Sequence, residues 1–206
     1  MSAKITVEFD IPQEIRDSVK RSLPLAEEIQ DKDLRDKVYD AWALSLSLND
    51  WNCMEELPGS GVPGGPVVGN QVHHILGVAK LSLAMVDVLE DVLGKKLDLD
   101  RDLLLASALC HDVGKPYEYN VEKRKQWEAD PRQEGLPNLR HTMYGVYIAK
   151  TVGLPDQVVH TCGCHSPEGR FVKRSLGTTV VHFGDEAYWQ ILESAFSWTL
   201  PMKDDE

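Results

Sequence analysis

This 206-residue sequence has few cysteines and lacks a long uninterrupted apolar run. We expect its four cysteines to be free thiols rather than a disulfide framework, because the sequence predicts a cytosolic protein. No apolar stretch approaches the length of a membrane span, and the N-terminus lacks the apolar core of a signal peptide. These absences predict a cytoplasmic protein that has no membrane partner.

Positive charge is also scarce, since 22 Lys and Arg residues face 33 Asp and Glu residues and leave a net charge of -11. A surface of this sign repels a nucleic-acid backbone, so no nucleic-acid partner is expected. A small phosphorylated substrate remains compatible, because a bound metal cluster reverses the local sign of the field. The length predicts one compact domain, and the sequence leaves its oligomeric state open.

Apolar residues recur at three- and four-residue spacing along most of the chain, which predicts an all-α fold. Residues 1–69 are expected to form an N-terminal helical extension and loop, and residues 70–206 a helical core. A polar surface excursion is expected at residues 117–138. The β-branched stretch at residues 178–183 is predicted to be helical, because a lone strand would have no partner. The expected helices cover residues 11–23, 34–48, 72–93, 103–112, 141–152, 155–165 and 172–196.

A Gly/Pro-rich segment at residues 57–66 precedes the helix predicted from residue 72. It is too rich in these residues for a regular element. It also lacks the Gly-Lys-Ser/Thr ending and the preceding strand of a phosphate-binding P-loop. Two interpretations stay open, an ordinary connector and a lid over a neighbouring pocket.

The adjacent pair His111-Asp112 is the strongest chemical signal in the chain. It follows the apolar run at residues 103–110 and precedes the helix-ending residues Gly114 and Pro116. Imidazole and carboxylate are both ligands of transition metals, and an ion would offset the cost of burying Asp112. The alternative is a simple His–Asp hydrogen bond at the end of a helix.

Four further residues extend this pair into a pattern, with His74 upstream and His141, His165 and Asp185 downstream. The order of a His, then a His-Asp pair, then a distant Asp is a motif. In this motif the chain resembles the HD-domain superfamily of metal-dependent phosphohydrolases over about residues 70–190. The phrase His-Asp-Val-Gly-Lys is close to the form that this family favours. The resemblance implies a single HD-type helical bundle.

The resemblance also implies a ligand set. His74, His111, Asp112 and Asp185 would hold one ion, while Asp112 would bridge to a second ion bound by His141 and His165. Four imidazoles and two carboxylates suit Fe, Mn, Zn, Co or Ni better than Mg or Ca. One or two ions are compatible with the pattern, and we expect two.

The function implied by the resemblance is hydrolysis of a small phosphoester or nucleotide by a metal-bound hydroxide. Asp112 and Lys115 are the predicted catalytic residues, and Lys115, His160 and Arg140 are the predicted substrate contacts. Residues 165–170 lack the Gly-Tyr-Pro signature of cyclic-dinucleotide phosphodiesterases, which argues against that substrate. The alternative function is a mixed-valent di-iron oxygenase that resembles myo-inositol oxygenase and the phosphonate-cleaving oxygenases.

Overall fold

The computed structural model describes residues 9–59 and 69–196, and within these ranges the protein is built of helices without a β-strand. An isolated bridge between Pro58 and Asn70 is the one β-type pairing in this part of the chain. The predicted all-α fold is therefore confirmed. The helices are α1 Gln13–Ser22, α2 Lys32–Ser47, α3 Gln71–Leu93, α4 Arg101–Cys110, α5 Lys115–Tyr119, α6 Val121–Ala129, α7 Pro131–Glu134, α8 His141–Thr151, α9 Asp156–Cys164 and α10 Leu176–Phe196, with 3₁₀ turns at Pro24–Glu28, Met54–Glu56 and Pro167–Phe171.

One cluster of buried apolar side chains runs from Val19 in α1 to Val181 in α10. Helix α2 joins this core through Trp42, which is fully buried and whose indole N–H donates to the Leu109 carbonyl at 2.8 Å. The Ser45 hydroxyl donates to the Val113 carbonyl at 2.6 Å. The N-terminal helices thus pack behind the segment that carries His111-Asp112.

Helix α4 ends at Cys110, two residues before the predicted end, and a turn at residues 111–114 leads directly into α5. This turn lies against the first residues of α8. A Cβ atom on Gly114 would be 2.0 Å from the His141 carbonyl oxygen and 2.6 Å from the Gly145 nitrogen. Only glycine permits this approach, which brings His111 and Asp112 next to the start of α8.

Residues 117–138 were expected to form a polar surface excursion, and the structure shows that this segment is helical, with most of α5 and all of α6 and α7. The Asn120 side chain caps α6 by accepting from the Lys123 N–H. Trp127 is buried against Tyr117, with ring centroids 5.4 Å apart. Short helices need few apolar anchors, so the polar composition concealed them.

Helix α3 begins with a capping box between Asn70 and His73 and ends at Gly94, whose left-handed conformation has φ of 59°. Its 23 residues are long and apolar enough to cross a membrane by length and composition alone. The expectation that no segment approaches this length was therefore wrong for α3. The same criteria are met by core helices of globular proteins, and α3 packs along α4 and α10.

The remaining expectations about local structure have mixed outcomes. The stretch at residues 178–183 is helical within α10, as predicted. All four cysteines are free thiols, which was also expected. Most of the segment suggested as a lid, residues 57–66, lies outside the described residues, because the structure does not describe residues 60–68. The division of the chain at residue 69 stays a prediction.

Candidate metal centre

Six side chains from five segments converge on one point between α3, α8, α9 and α10. His74 lies in the first turn of α3, and Asp185 lies in α10. The other four occupy the turn after α4, the first position of α8 and the end of α9. Five of the six are at most 4% exposed, whereas the Asp185 side chain is 17% exposed and marks the more open side. The convergent residues are His74, His111, Asp112, His141, His165 and Asp185.

One carboxylate oxygen of Asp112 faces the α3 side of this cluster. Its Oδ2 atom lies 3.2 Å from His74 Nε2 and 3.7 Å from His111 Nε2. The two imidazole nitrogens are 3.1 Å apart, and Asp185 Oδ1 is 3.4 Å from His74 Nε2. This group defines the first candidate ion site.

The other carboxylate oxygen of Asp112 faces the α8 and α9 side. Its Oδ1 atom lies 3.2 Å from His141 Nε2 and 3.4 Å from His165 Nε2. The two imidazole nitrogens are 3.4 Å from each other. This group defines the second candidate ion site, and Asp112 is common to both sites.

Three of the four imidazoles have an oxygen acceptor beside Nδ1. His111 Nδ1 lies 2.7 Å from the Ala108 carbonyl, and His165 Nδ1 lies 3.0 Å from the Thr161 carbonyl. His141 Nδ1 is 2.7 Å from Glu118 Oε2. These partners assign the proton of the neutral imidazole to Nδ1 and leave the Nε2 lone pair directed at the centre.

Several imidazole Nε2 atoms and Asp112 oxygens therefore lie 3.1–3.4 Å apart. With the imidazole protons on Nδ1, these close pairs have no proton between them to form a hydrogen bond. Two buried atoms of the cluster, His74 Nδ1 and Asp185 Oδ1, also have no hydrogen-bond partner in the described chain. Converging lone pairs and carboxylates repel each other unless a cation lies between them. This donor set fits a transition-metal ion.

Burial and charge keep most of these groups in the state that binds a metal. Burial lowers the pKa of His111 to about 4, although Asp112 opposes the shift, and burial also lowers the pKa of His141. Burial raises the pKa of Asp112, but Lys115 and the nearby histidines outweigh it and hold the pKa well below its usual range. Burial lowers the pKa of His165 less than Asp112 raises it, so that pKa is above its ordinary value.

Two supporting contacts in the centre were not predicted as such from the sequence. The Gln71 side chain is buried, and its amide donates to Asp112 Oδ2 at 3.0 Å. Glu118 Oε2 accepts from the His141 backbone N–H at 2.6 Å as well as from the ring. Gln71 is three positions before His74 on α3, so helical spacing was the available signal for it.

The predicted substrate contacts lie in different surroundings. Lys115 is half-buried with Nζ 5.2 Å from the Tyr119 ring centroid. Burial lowers its pKa, but Asp112 and other nearby groups outweigh this, so the pKa is raised and the side chain stays cationic. Arg140 is bound between Glu118 at 2.5 Å and Glu168 at 2.8 Å.

His160 belongs to neither candidate ion site. Its Nε2 atom accepts from the Ser175 backbone N–H at 3.2 Å, just before α10. His73, the neighbour of His74, is used in the cap of α3 and is exposed. Substrate contact by His160, Arg140 or Lys115 stays a prediction, as does the assignment of each metal ligand.

Comparison with known proteins gives the class of this chain. The HD domain family matches residues 72–177, about half of the chain, and the match ends before Asp185. No solved structure matches the chain. The chain belongs to the HD-domain family, as its motif predicted, and is a metal-dependent phosphohydrolase.

One similar protein has a specific activity in its name. It is the dihydroneopterin 2',3'-cyclic phosphate phosphodiesterase of Methanocaldococcus jannaschii. The two chains are 30% identical over 175 residues, which cover 82% of this chain and 68% of the relative.

Proposed function

We propose that this chain hydrolyses a small cyclic phosphodiester at a pair of divalent ions. The observation that carries the proposal is the position of Asp112, whose Oδ2 faces His74 and His111 while Oδ1 faces His141 and His165. A carboxylate that presents one oxygen to each of two imidazole pairs has the geometry of a bridging ligand. Asp185, whose Oδ1 lies 3.4 Å from His74 Nε2, would be the fourth ligand of the first site.

The substrate class is supported by the relative, whose name describes a 2',3'-cyclic phosphate as the bond that is cleaved. In this reaction an oxygen from water bonds to phosphorus and one ring P–O bond breaks. The released alkoxide oxygen takes up a proton, and the product is a phosphomonoester. No inorganic phosphate is released, so an assay for free phosphate would miss the reaction.

The roles proposed for the chain follow from charge and burial. Bound divalent ions supply Lewis acidity and a lowered pKa for water. Lys115 is a retained cation close to Asp112, so it is suited to neutralise charge on the phosphoryl oxygens. Five buried ligands keep bulk water out, while Asp185 lies on the side from which a substrate can approach.

The test uses the purified chain with Mn²⁺, Co²⁺ or anaerobic Fe²⁺. Substrates are 2',3'-cyclic nucleoside monophosphates, bis(p-nitrophenyl) phosphate and matched phosphomonoesters, with products separated by chromatography. We expect a phosphomonoester product that disappears with a chelator and in Asp112→Asn. Glu55→Gln is a charge-matched control, since Glu55 is exposed and bonds to Ser22. Absence of turnover on every phosphodiester with each metal would contradict the proposal.

The oxygenase alternative would use the same donor set, and no contact among the described residues favours it over hydrolysis. It stays a prediction with its own measurement. Oxygen uptake by the iron-loaded protein, with a mixed-valent electron paramagnetic resonance signal, would support it.

A further inference from the structure

Glu118 occupies a central position beside the second candidate ion site. It lies in α5 and is 9% exposed. Its Oε2 atom accepts from both the backbone N–H and the Nδ1 of His141, at 2.6 and 2.7 Å, and its Oε1 accepts from Arg140 at 2.5 Å. One carboxylate thus fixes both the main chain and the ring of a proposed ligand.

The other imidazoles of the centre have weaker support. His111 and His165 direct Nδ1 at neutral carbonyl oxygens, those of Ala108 and Thr161. His74 Nδ1 has no hydrogen-bond partner in the described part of the chain. A carboxylate partner holds the ring orientation and makes the imidazole a better electron donor, which a neutral carbonyl does to a smaller extent. The two candidate ion sites therefore differ in the charge of the groups that bind the Nδ1 atoms of their imidazoles.

A short network of hydrogen bonds extends from Glu118 through Arg140. Arg140 bridges it to Glu168, and the Ser166 hydroxyl donates to the second oxygen of Glu168 at 2.6 Å. Ser166 directly follows His165, so the network joins the chain segments that carry both imidazoles of the second site. Among the described residues, the hydrogen bonds of the Glu118 side chain are made with His141 and Arg140.

We propose that Glu118 is a positioning residue that sets the affinity of the second ion site and leaves the first site unaffected. The inference rests on the proposed two-ion function and adds that the two ions bind with separate requirements. The first ion depends on His74, His111 and Asp185 with Asp112, whereas the second also depends on the charge of Glu118.

The test measures cobalt(II) binding by equilibrium dialysis for the wild type, Glu118→Gln and Glu168→Gln. The first variant keeps side-chain size and removes the charge behind His141. We expect its second ion to bind about 10- to 100-fold more weakly, with the first ion unchanged. Glu168→Gln removes an equal charge from the same Arg140 without contacting His141, so its second ion should bind within about fivefold of wild type.

Three results would overturn the inference. The first is a Glu118→Gln protein that binds both ions at wild-type affinity, and the second is an equal loss of affinity for the second ion in Glu168→Gln. The third is a wild-type protein that binds a single ion. If Glu118→Gln does not fold by circular dichroism, ¹⁵N-histidine NMR of the zinc-loaded wild type decides. A proton on His141 Nδ1 that exchanges slowly supports the inference, and an unprotonated Nδ1 refutes it.

Phosphodiester turnover is measured separately, so the two proposals fail in different ways. Loss of the second ion in Glu118→Gln, combined with an inactive two-ion wild type, would refute the proposed function and support the inference. An active wild type whose Glu118→Gln variant keeps both ions would do the reverse.

Discussion

Gly114 offers the sharpest mechanical test of how the centre is held. In Gly114→Ala the new Cβ would be 2.0 Å from the His141 carbonyl oxygen, whereas ordinary contact begins at 3.4 Å. The turn and α8 must therefore separate by about 1.4 Å, which overpacking data place at about 1–3 kcal/mol of lost stability. For a chain of this size each kcal/mol lowers the melting temperature by about 2–4 °C.

The same displacement affects the metal centre. His141 would move away from both Asp112 and Glu118, to which it is joined at 3.2 and 2.7 Å. A misplacement of about 1 Å at a reacting centre can cost about 100-fold in rate. We therefore expect Gly114→Ala to melt earlier, to lose the second ion preferentially and to lose most of its turnover.

Gly145 supplies the matched control, because it faces Gly114 from α8. A Cβ there would meet Cys162 Cβ at 3.5 Å and Val113 at 3.6 Å, which are ordinary contacts. Gly145→Ala should keep wild-type ion content and melt within a few degrees of wild type. Calorimetry and metal analysis on both variants decide the matter. A Gly114→Ala protein with wild-type melting and two bound ions would refute the steric reasoning.

Three further predictions follow from the contacts of the centre. Asp112→Ala should lose most bound metal by mass spectrometry, whereas Lys115→Ala should keep the metal and lose turnover; equal metal loss in both would make Lys115 structural. His141→Ala should reduce the ion content from about two to one, and an unchanged content would indicate a single-ion centre. Burial raises the pKa of Glu168, but hydrogen bonds from Ser166 and Arg140 lower it to about 2 from the ordinary 4.5. This carboxylate therefore stabilises the fold above pH 4.5, and its contribution is lost as the pH falls towards 2. Glu168→Gln should flatten the pH dependence of urea stability in this window, and an unchanged slope would show that the pair is screened.

The sequence predicted the helices that carry the centre, because their apolar spacing and their ends are local properties. The positions of His74, His111-Asp112 and Asp185 followed from a motif with fixed order. The structure brings these side chains together with His141 and His165.

What the sequence missed depends on contacts between distant segments. Glu118 was not among the predicted catalytic, substrate-binding or metal-binding residues, since nothing in its neighbourhood marks it as the partner of a histidine 23 positions later. The role of Gly114 was interpreted as helix punctuation, whereas its φ of -85° is open to any residue and the constraint comes from α8. Tertiary packing, not local propensity, determines both.

The hydrogen bonds donated by Trp42 and Ser45 limit how this enzyme can be truncated. They tie the turn that carries His111-Asp112 to a helix almost 70 positions earlier, and Asp185 reaches the same centre from beyond residue 177. The segment that matches the family, 72–177, is therefore not a self-sufficient module. Excised on its own, it would leave the carbonyls of Leu109 and Val113 without these donors and the metal centre one carboxylate short.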